Sequence, residues 1–237
     1  MGIYTYLLLN IGTLFGPMIL SFDKKVAYFR NWMALFPAIA IVGAIFLIWD
    51  EWFTEMGVWG FNGDYLIGIY GFSLPLEEWL FFLTVPYACV FIYACLQAYI
   101  SKDIFAPIAR PFFIILMLTL LVLGILNFER IYTAVTFIAL SIWIALNLFV
   151  WKTPYMGRFL LAYLIGLLPF VMVNGVLTAL PVVWYNDLEN LGLRLGSIPV
   201  EDTMYMMLLL LMNINIYEWI LSRRNRSSLE MVSSKAS

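Results

Sequence analysis

Pro75-Leu76-Glu77-Glu78-Trp79-Leu80-Phe81-Phe82 opens an apolar run that continues to Ala98. Pro199-Val200-Glu201-Asp202 does the same, with a run from Met204 to Leu221. Two adjacent carboxylates at the mouth of a helix long enough to cross a bilayer are costly, and ionisable residues kept there mark function. A proline and an acid pair, twice, at the start of two such runs, organise the rest of the chain around them. The fold they predict is an all-α polytopic membrane protein made of two parallel repeats.

Composition agrees. The 237 residues are 64% hydrophobic, 18% aromatic and 12% charged, with a mean hydropathy of +0.93. A soluble domain carries about 25% charged residues. There is no histidine, which excludes His-ligated metals and haem and Ser-His-Asp chemistry. Cys89 and Cys95 fall in one predicted helix and read as packing residues, with neither metal nor disulfide implied. The N-terminus lacks the basic segment of a signal peptide.

Seven spans are predicted, at 3–20, 31–49, 76–99, 111–127, 131–150, 159–180 and 200–221, with the fourth the weakest by length. Assigning alternate loops to opposite sides puts eleven of the thirteen Lys and Arg on one face and leaves only Arg130 and Arg194 on the other. Basic loops stay cytoplasmic, so the N-terminus is expected outside and the C-terminus inside the cell's inner membrane. Asp50, Glu51, Glu55, Asp64, Glu129, Asp187, Glu189 and both acid pairs then lie on the outer half. Spans three and seven start on that side, so the two pairs share a depth and can meet at one site.

The duplication is visible elsewhere. Leu35-Phe36-Pro37 in span two loosely matches Leu168-Pro169-Phe170 in span six, and Gly71 to Pro75 matches Gly196-Ser197-Ile198-Pro199. A Trp-containing loop stands between in each half. The expected organisation is one membrane domain: repeat one over 1–100, a linking helix over 111–127, repeat two over 129–222, and a polar cytoplasmic tail over 223–237. The tail is expected to be disordered, with its basic start on anionic lipid.

Each acid pair has a plain structural reading. Proline suits the first helical position, and acids suit the positive helix end. Against that reading stand the repetition, the apolar flanks and an aromatic one turn on: Phe81 after Glu77 and Tyr205 after Glu201. Clustered carboxyls in an apolar site can supply a general acid, and aromatic faces stabilise a cation. Glu77, Glu78, Glu201 and Asp202 are the candidate catalytic residues. Trp79, Phe81, Phe82, Trp184 and Tyr205 are the candidate cation-stabilising and substrate contacts. Together they point to acid-initiated cation chemistry on a lipid-soluble alkene.

The segment Phe72 to Phe82, with Pro199-Val200-Glu201-Asp202-Thr203-Met204-Tyr205, Asn213 and Tyr217-Glu218, resembles the lycopene cyclase domain of the heterodimeric bacterial carotenoid cyclases and of their archaeal and fungal counterparts. Both halves stand here in one chain. The resemblance implies a lycopene β-cyclase, an intramolecular lyase that converts ψ ends to β-ionone rings without net redox, giving γ- and β-carotene. It carries the motif acids onto Glu77, Glu78, Glu201 and Asp202 and leaves open which is acid and which is base. Replacing Glu77 or Glu201 by Gln is expected to abolish cyclisation. No cofactor is expected, and in particular no flavin, since no G-x-G-x-x-G follows a strand. The implied partners are a carotenoid and membrane lipid, not nucleic acid. Access from the bilayer is expected between helices three and seven. Alternatives within the chemistry are cyclisation or hydration of C50 carotenoids and ε-ring formation. A seven-helix transporter would want polar residues through the midplane, and a retinal protein needs a lysine there; all five lysines fall in loops or tail.

Overall fold

The computed structural model describes the backbone of residues 2–236 and, apart from residue 225 and residues 227–236, their side chains. Seven helices run α1 Thr5–Leu20, α2 Trp32–Glu55, α3 Leu76–Tyr99, α4 Ala106–Leu126, α5 Ile131–Ala145, α6 Met156–Ala179 and α7 Val200–Ala236. A π-helical turn, Leu146–Val150, extends α5. Six of these are long and apolar enough to cross a membrane. The chain is therefore an all-α, multi-pass membrane protein. α1 is the short one: its 16 residues rise about 24 Å, against a hydrocarbon core of about 30 Å.

Three boundaries differ from the sequence reading. α4 starts at Ala106 because Pro107 falls in its first turn, where a missing N–H costs nothing; it has 21 residues and is not the weak span. α2 runs on to Glu55, which draws Asp50 and Glu51 out of the loop and into the helix. The backbone of the polar tail continues α7 to Ala236: no Gly or Pro interrupts residues 223–237, so nothing there breaks a helix.

The loops that carry the acids are short ladders. β1 Trp59–Phe61 pairs antiparallel with β4 Val183–Tyr185. β2 Tyr70–Gly71 pairs with β3 Leu74–Pro75, and β5 Arg194–Leu195 with β6 Ile198–Pro199. Each hairpin delivers its chain directly into α3 or α7. Pro75 is thus the residue before the helix, held extended at φ −67° and ψ 153°, and not its first helical residue. Extended backbone is what β3 requires, and a proline accepts it.

The two halves repeat this construction bond by bond. Leu76 N–H donates to Ile69 O at 2.8 Å, and Val200 N–H to Leu193 O at 2.9 Å. Each hairpin turns on a left-handed residue: Phe72 (φ 60°) in the first and Gly196 (φ 67°) in the second. Phe72, not Gly71, is therefore the counterpart of Gly196. Ser73 in the first turn is held by Glu51 of α2, with its N–H 3.0 Å from Oε1. Ser197 in the second lies 2.6 Å from the Thr178 hydroxyl of α6. In the β1–β4 ladder Gly60 faces Trp184, and these two are separated along the chain by the same interval as Pro75 and Pro199. The ladder therefore lies on the axis that relates the halves. α2 packs on α7 and α6 on α3, so each half completes the other.

Candidate active site

Adjacent residues on an α-helix point about 100° apart. In each acid pair the two carboxylates consequently go to different places. The first members are completely buried and hold the hairpins. Glu77 Oε1 accepts the Ile67 N–H at 2.8 Å. Glu201 Oε1 accepts the Leu191 N–H at 2.8 Å and the Thr133 hydroxyl at 2.6 Å. Neither lines the cleft that the second members share.

The second members, Glu78 and Asp202, face each other across a cleft lined by every helix except α4 and by the β1–β4 ladder. Glu78 Oε2 accepts the Tyr6 hydroxyl at 2.5 Å. Asp202 Oδ1 accepts the Tyr132 hydroxyl at 2.5 Å, and Oδ2 accepts Tyr185 at 2.8 Å and Asn174 Nδ2 at 2.6 Å. Tyr6 and Tyr132 are counterparts on α1 and α5. Burial, and then the Asp202 carboxylate, push the Tyr185 phenol well above its ordinary range, so it stays a donor.

A third carboxylate enters the same cleft from α2. Asp50 is 2% exposed, and its Oδ2 meets no hydrogen-bond partner among the described residues. Sequence reasoning missed it by ending span two at residue 49; the adjacent acids Asp50-Glu51 at the end of an apolar run were the available signal. Among the described residues no Lys or Arg lines the cleft. The two basic residues on this face are engaged elsewhere, Arg130 with the Asn190 carbonyl and Arg194 with Asp187. Among the described residues no cluster of His, Cys, Asp and Glu could hold a metal ion.

The remaining wall is aromatic and aliphatic. Phe81 and Tyr205 line the cleft, joined by Trp59, Phe61, Tyr132 and Tyr185. Trp59 and Tyr132 meet edge to face at 5.0 Å, and Trp49 and Tyr205 at 5.1 Å. The other sequence candidates lie outside it. Phe82 packs against Phe46 in the core. Trp79 stacks on Phe72 beside its hairpin. Trp184 is 45% exposed and covers Gly60, where a Cβ would collide with its ring.

A multi-pass helical protein with three carboxylates in a largely aromatic and aliphatic cleft is a membrane protein equipped for acid chemistry on apolar molecules. The family model described as lycopene cyclase matches residues 3–96 and 129–220. Those segments are α1–α3 and α5–α7 with their hairpins, leaving α4 between them. The chain belongs to the lycopene cyclase family and is a carotenoid cyclase, both halves fused. No curated protein matches it, and no solved structure does.

Proposed function

We propose that this chain is a lycopene β-cyclase that closes ψ ends of lycopene to β-ionone rings by proton addition and proton removal within one cleft. The observation that carries this reading is the convergence of Asp50, Glu78 and Asp202 on a cleft whose other walls are aromatic and aliphatic. A protonated carboxyl adds its proton to the terminal double bond and leaves a tertiary cation. The internal alkene attacks that cation, forming the ring C–C bond. A carboxylate then removes a ring proton. One proton enters and one leaves, so nothing is oxidised or reduced.

The asymmetry between the halves supports a division of labour. Asp202 takes three donors, a set suited to a carboxylate that receives a proton. Among the described residues Glu78 takes only Tyr6 in return. Phe61 stands where Tyr185 stands in the other half, at the same interval along the chain, and has no hydroxyl to give. Beside Glu78 there is instead Asp50. The anchors Glu51 and Thr178 make Leu177 its counterpart, and both line the cleft. Glu78, with Asp50, is accordingly the proton donor, and Asp202 is the base. Glu77 and Glu201 position the hairpins. Trp59, Phe81, Tyr132 and Tyr205 line the cleft and supply the ring faces that stabilise the intermediate cation.

The charge pattern supports a topology with the C-terminus and the basic loops in the cytoplasm and the cleft in the outer half of the inner membrane. Expression of this chain in bacteria that accumulate lycopene tests the activity. γ- and β-carotene are expected in the extracted pigment. Unchanged lycopene, with the protein present in the membrane, overturns the reading.

A further inference from the structure

The acid cleft is small. Its free volume is about 60 Å³, room for the tip of a molecule and no more. It adjoins a groove of about 470 Å³ between α1, α3 and α6. Phe81, Val85, Phe170 and Asn174 line both spaces, so the groove ends against the acid cleft.

Two features suit the groove to a hydrocarbon. Its polar side chains are few: the Thr13 hydroxyl donates to Leu9 O at 2.8 Å, Asn174 donates to Asp202 at 2.6 Å, and the Cys89 thiol packs as a small apolar group. Its rim faces the bilayer, with Leu8 63% and Met172 72% exposed. The lining of the groove is not repeated in the other half. Gly12 and Gly16 on α1 form its floor, and a Cβ at either meets nothing within 4 Å. Six residues beyond Tyr6 is Gly12; six beyond Tyr132 is Ile138, whose side chain abuts Gly124 of α4.

We propose that this groove holds the polyene arm of the substrate while its end group sits at the acids, and that the substrate reaches the site laterally between α1 and α6 rather than between α3 and α7. The proposal rests on the cyclase reading. With one polyene arm in this groove and one end group at the acids, the two ends of a linear polyene are treated one after the other, with release or reversal between them.

The test uses Glu78→Gln, purified in detergent from lycopene-accumulating cells, with bound polyene read by its absorption per chain. Glu78→Gln is expected to retain lycopene. Adding Gly12→Phe or Gly16→Phe is expected to lower the bound polyene about ten-fold, the scale of overfilling a packed space. Met172→Trp on the opposite wall, at an exposed position, gives the same loss without touching α1. Ile11→Phe, on the lipid face of α1, leaves binding unchanged. Full retention of lycopene in the groove variants overturns the proposal, as does recovery of lipid acyl chains in place of polyene. The unmutated chain separates the two readings. If it forms rings while the groove variants bind and cyclise equally well, the groove falls alone. If it forms none but polyene is bound and lost on filling the groove, the cyclase reading falls alone.

Discussion

The Tyr6 hydroxyl donates to Glu78 across 2.5 Å, from α1 to α3, and among the described residues is the one side chain that donates to that carboxyl. Its counterpart Tyr132 shares Asp202 with Tyr185 and Asn174. A hydrogen bond to a charged group is worth about 1.5–3 kcal/mol. When Glu78 gives up its proton, Tyr6 stabilises the carboxylate left behind. Tyr6→Phe should therefore lower the cyclisation rate roughly 10- to 100-fold. Tyr132→Phe, which leaves Asp202 two donors, should lower it by only a few-fold. Initial rates in isolated membranes measure both, and equal losses would contradict the division of roles.

Glu77 and Glu201 each use Oε1 as the acceptor for a loop N–H. Glutamine keeps that acceptor. Glu77→Gln and Glu201→Gln should thus fold and retain most of their activity, against the expectation drawn from the motif alone. Glu77→Ala strands the Ile67 N–H and should cost about 1–3 kcal/mol of stability, read as a lower melting temperature in detergent. Loss of turnover in a normally folded Glu77→Gln would return this residue to the chemistry.

Phe72 occupies the left-handed turn position that Gly196 fills in the other half. For a residue with a Cβ this conformation costs about 1–2 kcal/mol. Phe72→Gly should raise stability by about 1 kcal/mol, reduced by the lost stack on Trp79 and by glycine's own entropy. Thermal unfolding of the two proteins side by side measures the balance; a drop would mean that the stack outweighs the strain.

Much of this was legible in the sequence. Apolar runs located the seven helices, and the repeated acid pairs pointed to the candidate cleft, because charge inside a membrane is too costly to be incidental. Which member of each pair faces the cleft was not legible. Glu77 and Glu78 differ by one step of helix rotation, and only the packing of α1 and α2 against α3 decides between them. Asp50 was lost with a helix boundary. Trp59 and Trp184 look alike in sequence as loop tryptophans, yet their strand register sends one into the cleft and leaves the other over Gly60. The two-residue strands of the hairpins carry no periodicity long enough to read.

The most direct test of the account is the pigment formed by Glu78→Gln and by Asp202→Asn in lycopene-accumulating cells, at membrane levels matched to the unmutated chain. Both variants should leave lycopene uncyclised while the unmutated chain yields γ- and β-carotene. Ring formation at the unmutated yield in either variant would contradict the claim that these two inward-facing carboxyls give and take the proton.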